Sequence, residues 1–253
     1  MDLGLADRAY VLTGASKGLG LATARALVAD GARVVISARD PDQVAETARR
    51  LGPEDRVVGL VADLAAPETA SRLVETALER FGRLDGALVS VGGPPPGSVA
   101  QATDAQWRDS FETIFLGTVR AARTIAAALQ SGGALGLVLS TSVRAPVPGL
   151  GISNGLRPGL AGVAKDMADE YGPRGVRVIS LLPGRILTDR NRDLFAATGD
   201  PERARADAEA AIPLRRLGDP EEFGRVAAFV LSPAASYLTG VTIPVDGGAL
   251  RGL

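Results

Sequence analysis

Short apolar runs alternate with longer amphipathic ones along the whole chain. Ala9–Leu12, Arg33–Ser37, Val57–Val61, Gly86–Val91, Leu135–Leu139, Val176–Leu182 and Val241–Val245 read as strands. Between them, helical spacing predicts helices over Leu19–Ala29, Asp42–Leu51, Pro67–Phe81, Asp104–Gln130, Leu156–Tyr171 and Pro220–Leu231. Pro41 and Pro67 suit first helical turns, and Thr103 suits an N-cap. This alternation predicts the α/β class, a doubly wound parallel sheet with helices on both faces. The strands are nearly all apolar, as expected where helices cover both sides. No repeat or change of composition divides the chain, so residues 1–253 are expected to form one domain. One polar, Arg-rich insert, residues 188–216, departs from the pattern. Two readings of it stand: a mobile lid on the substrate side, or a plain surface helix.

Composition narrows the chemistry. With 46% hydrophobic and 23% charged residues, the chain can bury a full core, which excludes disorder as its main state. Its 28 basic and 29 acidic residues leave no global field to attract nucleic acid or an anionic membrane. There is no Cys and no His. Thiolate metal sites, disulfides, Cys nucleophiles and Ser-His-Asp triads are therefore excluded, and no metal is expected. No apolar stretch approaches the ~18–20 residues of a membrane span. The first seven residues carry two acids and no apolar signal region, so the cytoplasm is the default expectation.

The strongest local signal is Thr13-Gly14-Ala15-Ser16-Lys17-Gly18-Leu19-Gly20, placed between the first strand and the first helix. Glycines there let the backbone approach a diphosphate. The helix N-terminus offers unpaired N–H groups and a positive dipole end. At that position, the turn points to a dinucleotide site.

The spacing Thr-Gly-x-x-x-Gly-x-Gly resembles the short-chain dehydrogenase/reductase family, and the resemblance runs almost end to end. It implies a Rossmann-like fold, a nicotinamide cofactor, a small-molecule substrate and a homo-oligomer, either tetramer or dimer. Asp63 and Leu64 match the segment that contacts adenine. Gly92 lies in the segment after strand four, and Pro183, Gly184, Ile186 and Thr188 match the segment that holds nicotinamide. The segments Pro213–Glu222 and Tyr237–Gly248 look like the family's C-terminal signatures. Strand two ends Ser37-Ala38-Arg39, without the carboxylate that favours NAD. Arg39 and Lys17 facing one point would suit a 2′-phosphate, so NADP (NADPH) is preferred over NAD. Asp40, beside Arg39, would oppose that choice if it turned inward.

The catalytic positions of the family depart from its pattern. The resemblance implies Asn, Ser, Tyr and Lys, the last two spaced as Tyr-x-x-x-Lys. None of Tyr10, Tyr171 or Tyr237 has Lys four residues on. The alignment sets Ser153 at the Tyr position, Arg157 at the Lys position, Ile114 at the Asn position and Ser142 at the Ser position. This resembles a branch of the family with Ser-Asn-x-x-Arg and Gly-Gly-Pro-Pro-Pro-Gly, here Gly92–Gly97. The Pro run reads either as a stiff loop beside the nicotinamide or as a rigid surface turn.

An alkyl hydroxyl is a far weaker acid than a phenol of pKa ~10, so Ser153 does not simply inherit the Tyr role. Arg157 is a permanent donor fork, able to bind ribose hydroxyls or polarise an oxygen but not to pass on a proton. Arg144, Asp189 and Arg190 are further candidates. Asp189 is the one nearby carboxylate with a case as general base, and Arg144 with Arg157 would favour an anionic substrate. Three readings follow: an NADP(H)-dependent oxidoreductase acting on a carbonyl, alcohol or imine; a catalytically silent dinucleotide binder; or a non-redox dehydratase or cyclase. The Ala-rich stretch Val119–Leu129 suits either close helix packing between subunits or an internal core.

Overall fold

The central strands are largely apolar on both sides, yet period-two alternation still sorts their residues between two cores. Ala9, Val11, Val35, Ala87 and Val89 enter one core; Tyr10, Leu12, Val34, Ile36 and Leu88 enter the other. The computed structural model describes residues 2–252. It contains seven strands: β1 Ala9–Leu12, β2 Arg33–Ala38, β3 Val57–Val61, β4 Gly86–Val89, β5 Ala134–Val138, β6 Arg177–Pro183 and β7 Val241–Val245. All pair in parallel, in the order β3-β2-β1-β4-β5-β6-β7. The order reverses between β1 and β4, which opens a crevice at their C-terminal ends.

The helices are α1 Gly18–Ala29, α2 Pro41–Leu51, α3 Thr69–Phe81, α4 Asp104–Ser110, α5 Gly117–Ala128, α6 Gly151–Tyr171, α7 Asp189–Ala196, α8 Pro201–Ala211 and α9 Pro220–Leu231. Helices α3, α5 and α6 cover one face of the sheet, and α1, α2 and α9 cover the other. Thr103 caps α4 in a reciprocal box with Gln106. The rod expected over Asp104–Gln130 is interrupted by a π-helical turn, Phe111–Leu116, which carries the buried Ile114. Pro67 falls just before α3 rather than inside it. The Ala-rich face of α5 packs inward, where Ala121, Ala122, Ile125 and Ala126 are all buried. The insert folds into α7 and α8, which pack on each other around Phe195 and Ile212.

One buried cation ties the far side of the molecule together. Arg177, at the start of β6, donates to the carbonyls of Val230 at 2.7 Å and Ser232 at 2.8 Å, at the end of α9. Terminal helix carbonyls lack intrahelical donors, so the guanidinium acts as a tertiary cap. Arg177→Met is expected to lower stability by about 2 kcal/mol and Tm by roughly 4–8 °C. An unchanged melting curve would show that these carbonyls find other donors.

Candidate functional site

The glycine turn follows β1 directly, and its shape depends on having no side chains at three positions. Gly14 and Gly18 adopt φ of +57° and +56°. A Cβ on Gly20 would stand 2.5 Å from the Gly14 carbonyl oxygen. Thr13 anchors the turn to the end of β4. Its hydroxyl donates to the Ser90 carbonyl at 2.7 Å and accepts from the Ser90 N–H at 2.8 Å. Ser16 donates to the Gln43 side chain at 2.7 Å, and the Ala15 N–H donates to the Ser37 carbonyl. Thr13, Ser16 and Ser37 are buried braces behind the turn. No side chain caps α1, and Gly18, Leu19 and Gly20 at its start line an open cavity. That is a fitting cradle for a diphosphate, with free N–H groups and a backbone that can be approached.

The cavity has a volume of about 630 Å³, ample for a cofactor end with a small molecule. Gly92, Gly93 and Pro94 after β4 line it, as do Ser140 and Thr141 after β5, Ser153 and Arg157 on α6, Pro183 at the end of β6, and Gly184, Ile186 and Thr188 beyond it. Its outer wall is largely apolar, formed by Pro146, Val147, Pro148, Leu194, Ala208 and Ala211. The insert therefore faces the cavity through α7 and α8.

The expected catalytic positions do converge. The Ser142 and Ser153 hydroxyls lie 3.3 Å apart, both buried. Ser153 reaches the cavity wall, whereas Ser142 sits behind it. Arg157, only 4% exposed, donates to the Val138 carbonyl at 3.0 Å and the Gly92 carbonyl at 3.5 Å. Burial, and then the charge of Arg190, pull its pKa down to about 10, so it remains cationic at neutral pH. Asn154, the Asn of the Ser-Asn-x-x-Arg pattern, to which the sequence assigned no role, makes both amide bonds to Val147, each 2.9 Å. It fixes the wall of the cavity next to Ser153. The Gly97 N–H donates to Gly149 and the Gly151 N–H to Gly97, pinning the proline loop to the start of α6. Pro94 is buried against the cavity, while Pro95 and Pro96 are exposed. The loop thus meets the cavity at Pro94 and solvent at Pro95 and Pro96.

Other candidates lie elsewhere. Arg144 turns away and donates both Nε and Nη2 to the Thr242 hydroxyl, outside the cavity. The three-residue 3₁₀ turn Thr141–Val143 sends its side chain toward β7. Asp189 pairs with Arg192 at 2.8 Å and stands 3.8 Å from the Lys17 ammonium. Lys17 thus leans across the cleft toward α7. Ile114 is packed in the core and does not line the cavity. Arg39 is exposed at the end of β2, and Asp40 accepts from the Gln43 N–H as the N-cap of α2. Asp63 is exposed and caps the turn after β3, while Leu64 packs into the core beside α5. Neither lines the cavity, nor do Ser37 and Arg39; an adenine end would lie beyond it. Among the described residues there is no cluster fit to hold a metal ion, and no helix is long and apolar enough to cross a membrane.

Comparison with known proteins agrees with this arrangement. Residues 14–249 match a family model described as Enoyl-(Acyl carrier protein) reductase. An uncharacterized oxidoreductase of Mycobacterium tuberculosis (strain CDC 1551 / Oshkosh) is 37% identical over 251 residues, covering 96% of this chain and 92% of that protein. Dehydrogenase/reductase SDR family member 4 of Sus scrofa is 33% identical over 250 residues, covering 96% and 88%. L-sorbose reductase from Gluconobacter frateurii, solved with NADPH and L-sorbose, superposes with a TM-score of 0.91 at 30% identity over the whole of both chains. With its glycine turn, parallel sheet and near full-length relatives, the chain belongs to the short-chain dehydrogenase/reductase family of oxidoreductases.

Proposed function

We propose that this protein is an NADP(H)-dependent oxidoreductase acting on a carbonyl, alcohol or imine, with Ser153 and Arg157 in place of the usual tyrosine and lysine. The observation that carries the reading is the placement of Arg157 and Ser153 in the wall of the cavity that begins at the uncapped glycine turn. When bound, the reduced nicotinamide supplies a hydride. Gly18, Leu19 and Gly20 would offer N–H groups to the diphosphate, and Ile186 and Thr188 would hold the nicotinamide amide. Arg157 offers its remaining N–H groups to ribose hydroxyls or to a developing alkoxide, which its charge stabilises. Ser153, backed by Ser142, donates a hydrogen bond to the reacting oxygen. A hydroxyl of that kind orients the oxygen, so the proton comes from water or from the substrate itself.

The preference for NADP is supported by Arg39, exposed and without a carboxylate partner among the described residues, and by Asp40, whose carboxylate is committed to capping α2. The NADPH in the L-sorbose reductase structure points the same way. Asp63 and Leu64 would serve the adenine end. A homo-oligomer, dimer or tetramer, and a small-molecule substrate complete the proposal. The 188–216 insert would act as the substrate-side lid, since α7 and α8 both contribute to the cavity wall.

A screen of aldehydes, ketones and imines for loss of NADPH absorbance tests the proposal. Turnover is expected, with a rate that shows no phenol ionisation between pH 6 and 9. Tight NADPH binding without turnover across the panel would favour a silent binder or a non-redox enzyme instead.

A further inference from the structure

We infer that the substrate side of the cavity recognises a carboxylate, held by Arg185 and Arg190, on an otherwise apolar small molecule. The inference rests on the proposed reading of the cavity as a cofactor and substrate site. It differs from the sequence expectation, since Arg144 points elsewhere and two other arginines take its place.

Three arginines line the cavity, Arg157, Arg185 and Arg190. Some partly buried arginines elsewhere meet carboxylates, as Arg8 and Arg83 share Asp85 and Arg120 meets Glu112, while the buried Arg177 spends its donors on the carbonyls at the end of α9. Among the described residues, none of the three cavity arginines has a carboxylate within 4.0 Å. Arg185 donates to the neutral Asn191 side chain at 3.3 Å and lies over the Phe195 ring, 5.7 Å from its centre. Arg190 donates to the Pro94 carbonyl, and a Cβ on Gly93 would come within 2.9 Å of its Nε. Each keeps most of its five N–H donors unspent.

The acid that lines the cavity, Asp189, is already engaged by Arg192 and Lys17. Asp193 acts on Arg190 only from beyond ion-pair distance. Burial lowers the pKa of both Arg185 and Arg190, and at Arg190 the charge of Asp193 offsets this only in part. Around them stand Leu194, Ala208 and Ala211, which offer nothing polar. A planar carboxylate on an apolar body is complementary to that set, because a guanidinium fork grips it with two parallel bonds.

Calorimetric titration of the NADP⁺-loaded protein with phenylacetate, and with its neutral isostere phenylacetamide, tests this. The carboxylate is expected to bind at least tenfold more tightly than the amide. Arg190→Met together with Arg185→Met should abolish that preference while NADP⁺ affinity stays within twofold. Equal binding of the two probes, or no binding of phenylacetate, would overturn the inference. So would a double variant that keeps the preference, or one that loses NADP⁺ affinity instead. The wild-type comparison needs no variant and decides the matter even if the double variant fails to fold. The same titration without NADP⁺ separates the two ideas. A carboxylate preference in a protein that binds no dinucleotide would leave this inference standing and reject the cofactor reading.

Discussion

Gly20→Ala is expected to lower NADPH affinity by at least 100-fold, about 2.7 kcal/mol, while the chain still folds. The added methyl would stand 2.5 Å from the Gly14 carbonyl oxygen and 2.8 Å from the Ala15 Cα, both of them backbone. Neither can step aside as a flexible side chain would. The turn must therefore open, and the N–H groups at the start of α1 lose their aim at one point. Gly162→Ala is the matched control. It lies inside α6, with nothing within 4 Å of its Cβ position. That change is expected to leave affinity untouched and to add up to about 1 kcal/mol of stability through helix propensity. Fluorescence titration with NADPH and thermal melting of both variants check the pair. An affinity for Gly20→Ala within fivefold of the parent would show that the diphosphate does not use this turn.

Arg157→Met should separate binding from folding. The guanidinium is desolvated, has no carboxylate partner among the described residues, and holds two backbone carbonyls. Replacing it with an apolar chain of similar length relieves the desolvation of a cation and forfeits two hydrogen bonds. These effects oppose each other, so stability is expected to move by less than about 2 kcal/mol. Cofactor affinity should nevertheless fall at least tenfold, about 1.4 kcal/mol, because the donors facing the cavity are gone. Lysine at this position would restore the charge but not the fork, and should recover affinity only in part. Unchanged affinity in Arg157→Met would remove Arg157 from the binding site and leave it as a brace between β5 and the proline loop.

The sheet was legible because its strands are apolar runs bounded by turns, and the two cores follow from their alternation. The boundary of α6 was not. The helix begins at Gly151, five residues before Leu156, through Ser153, Asn154 and Gly155, which are weak helix formers. Tertiary bonds hold that first turn: the Gly151 N–H to Gly97, and the Asn154 amide to Val147. The π-helical turn at Ile114 left no mark in the spacing, since it adds one residue to a ladder whose side chains remain amphipathic.

At the site, the glycine turn was readable from residue types at fixed offsets, and the segment Pro183–Thr188 from its resemblance to the family pattern. Resemblance also set Ser142 and Ser153 at their positions, but the 3.3 Å approach of their hydroxyls was not legible. The direction of Arg144 was not, because a short 3₁₀ turn rotates the chain by an amount that sequence offsets do not encode. Nor was the meeting of Arg185 and Arg190 in one cavity. It depends on how α7 folds back over the end of β6, and each arginine alone looks like a solvated charge. Asn154 could have been suspected from its place beside Ser153, since a short amide can close a loop by bonding backbone N–H and C=O together.

Titration of the unmodified protein with NADPH, followed by the fluorescence of the nicotinamide, is the most direct measurement. Saturation at one molecule per chain, with NADH binding at least tenfold more weakly, is the outcome expected of an open glycine turn beside Arg39. A flat titration with both dinucleotides would contradict the account at its root.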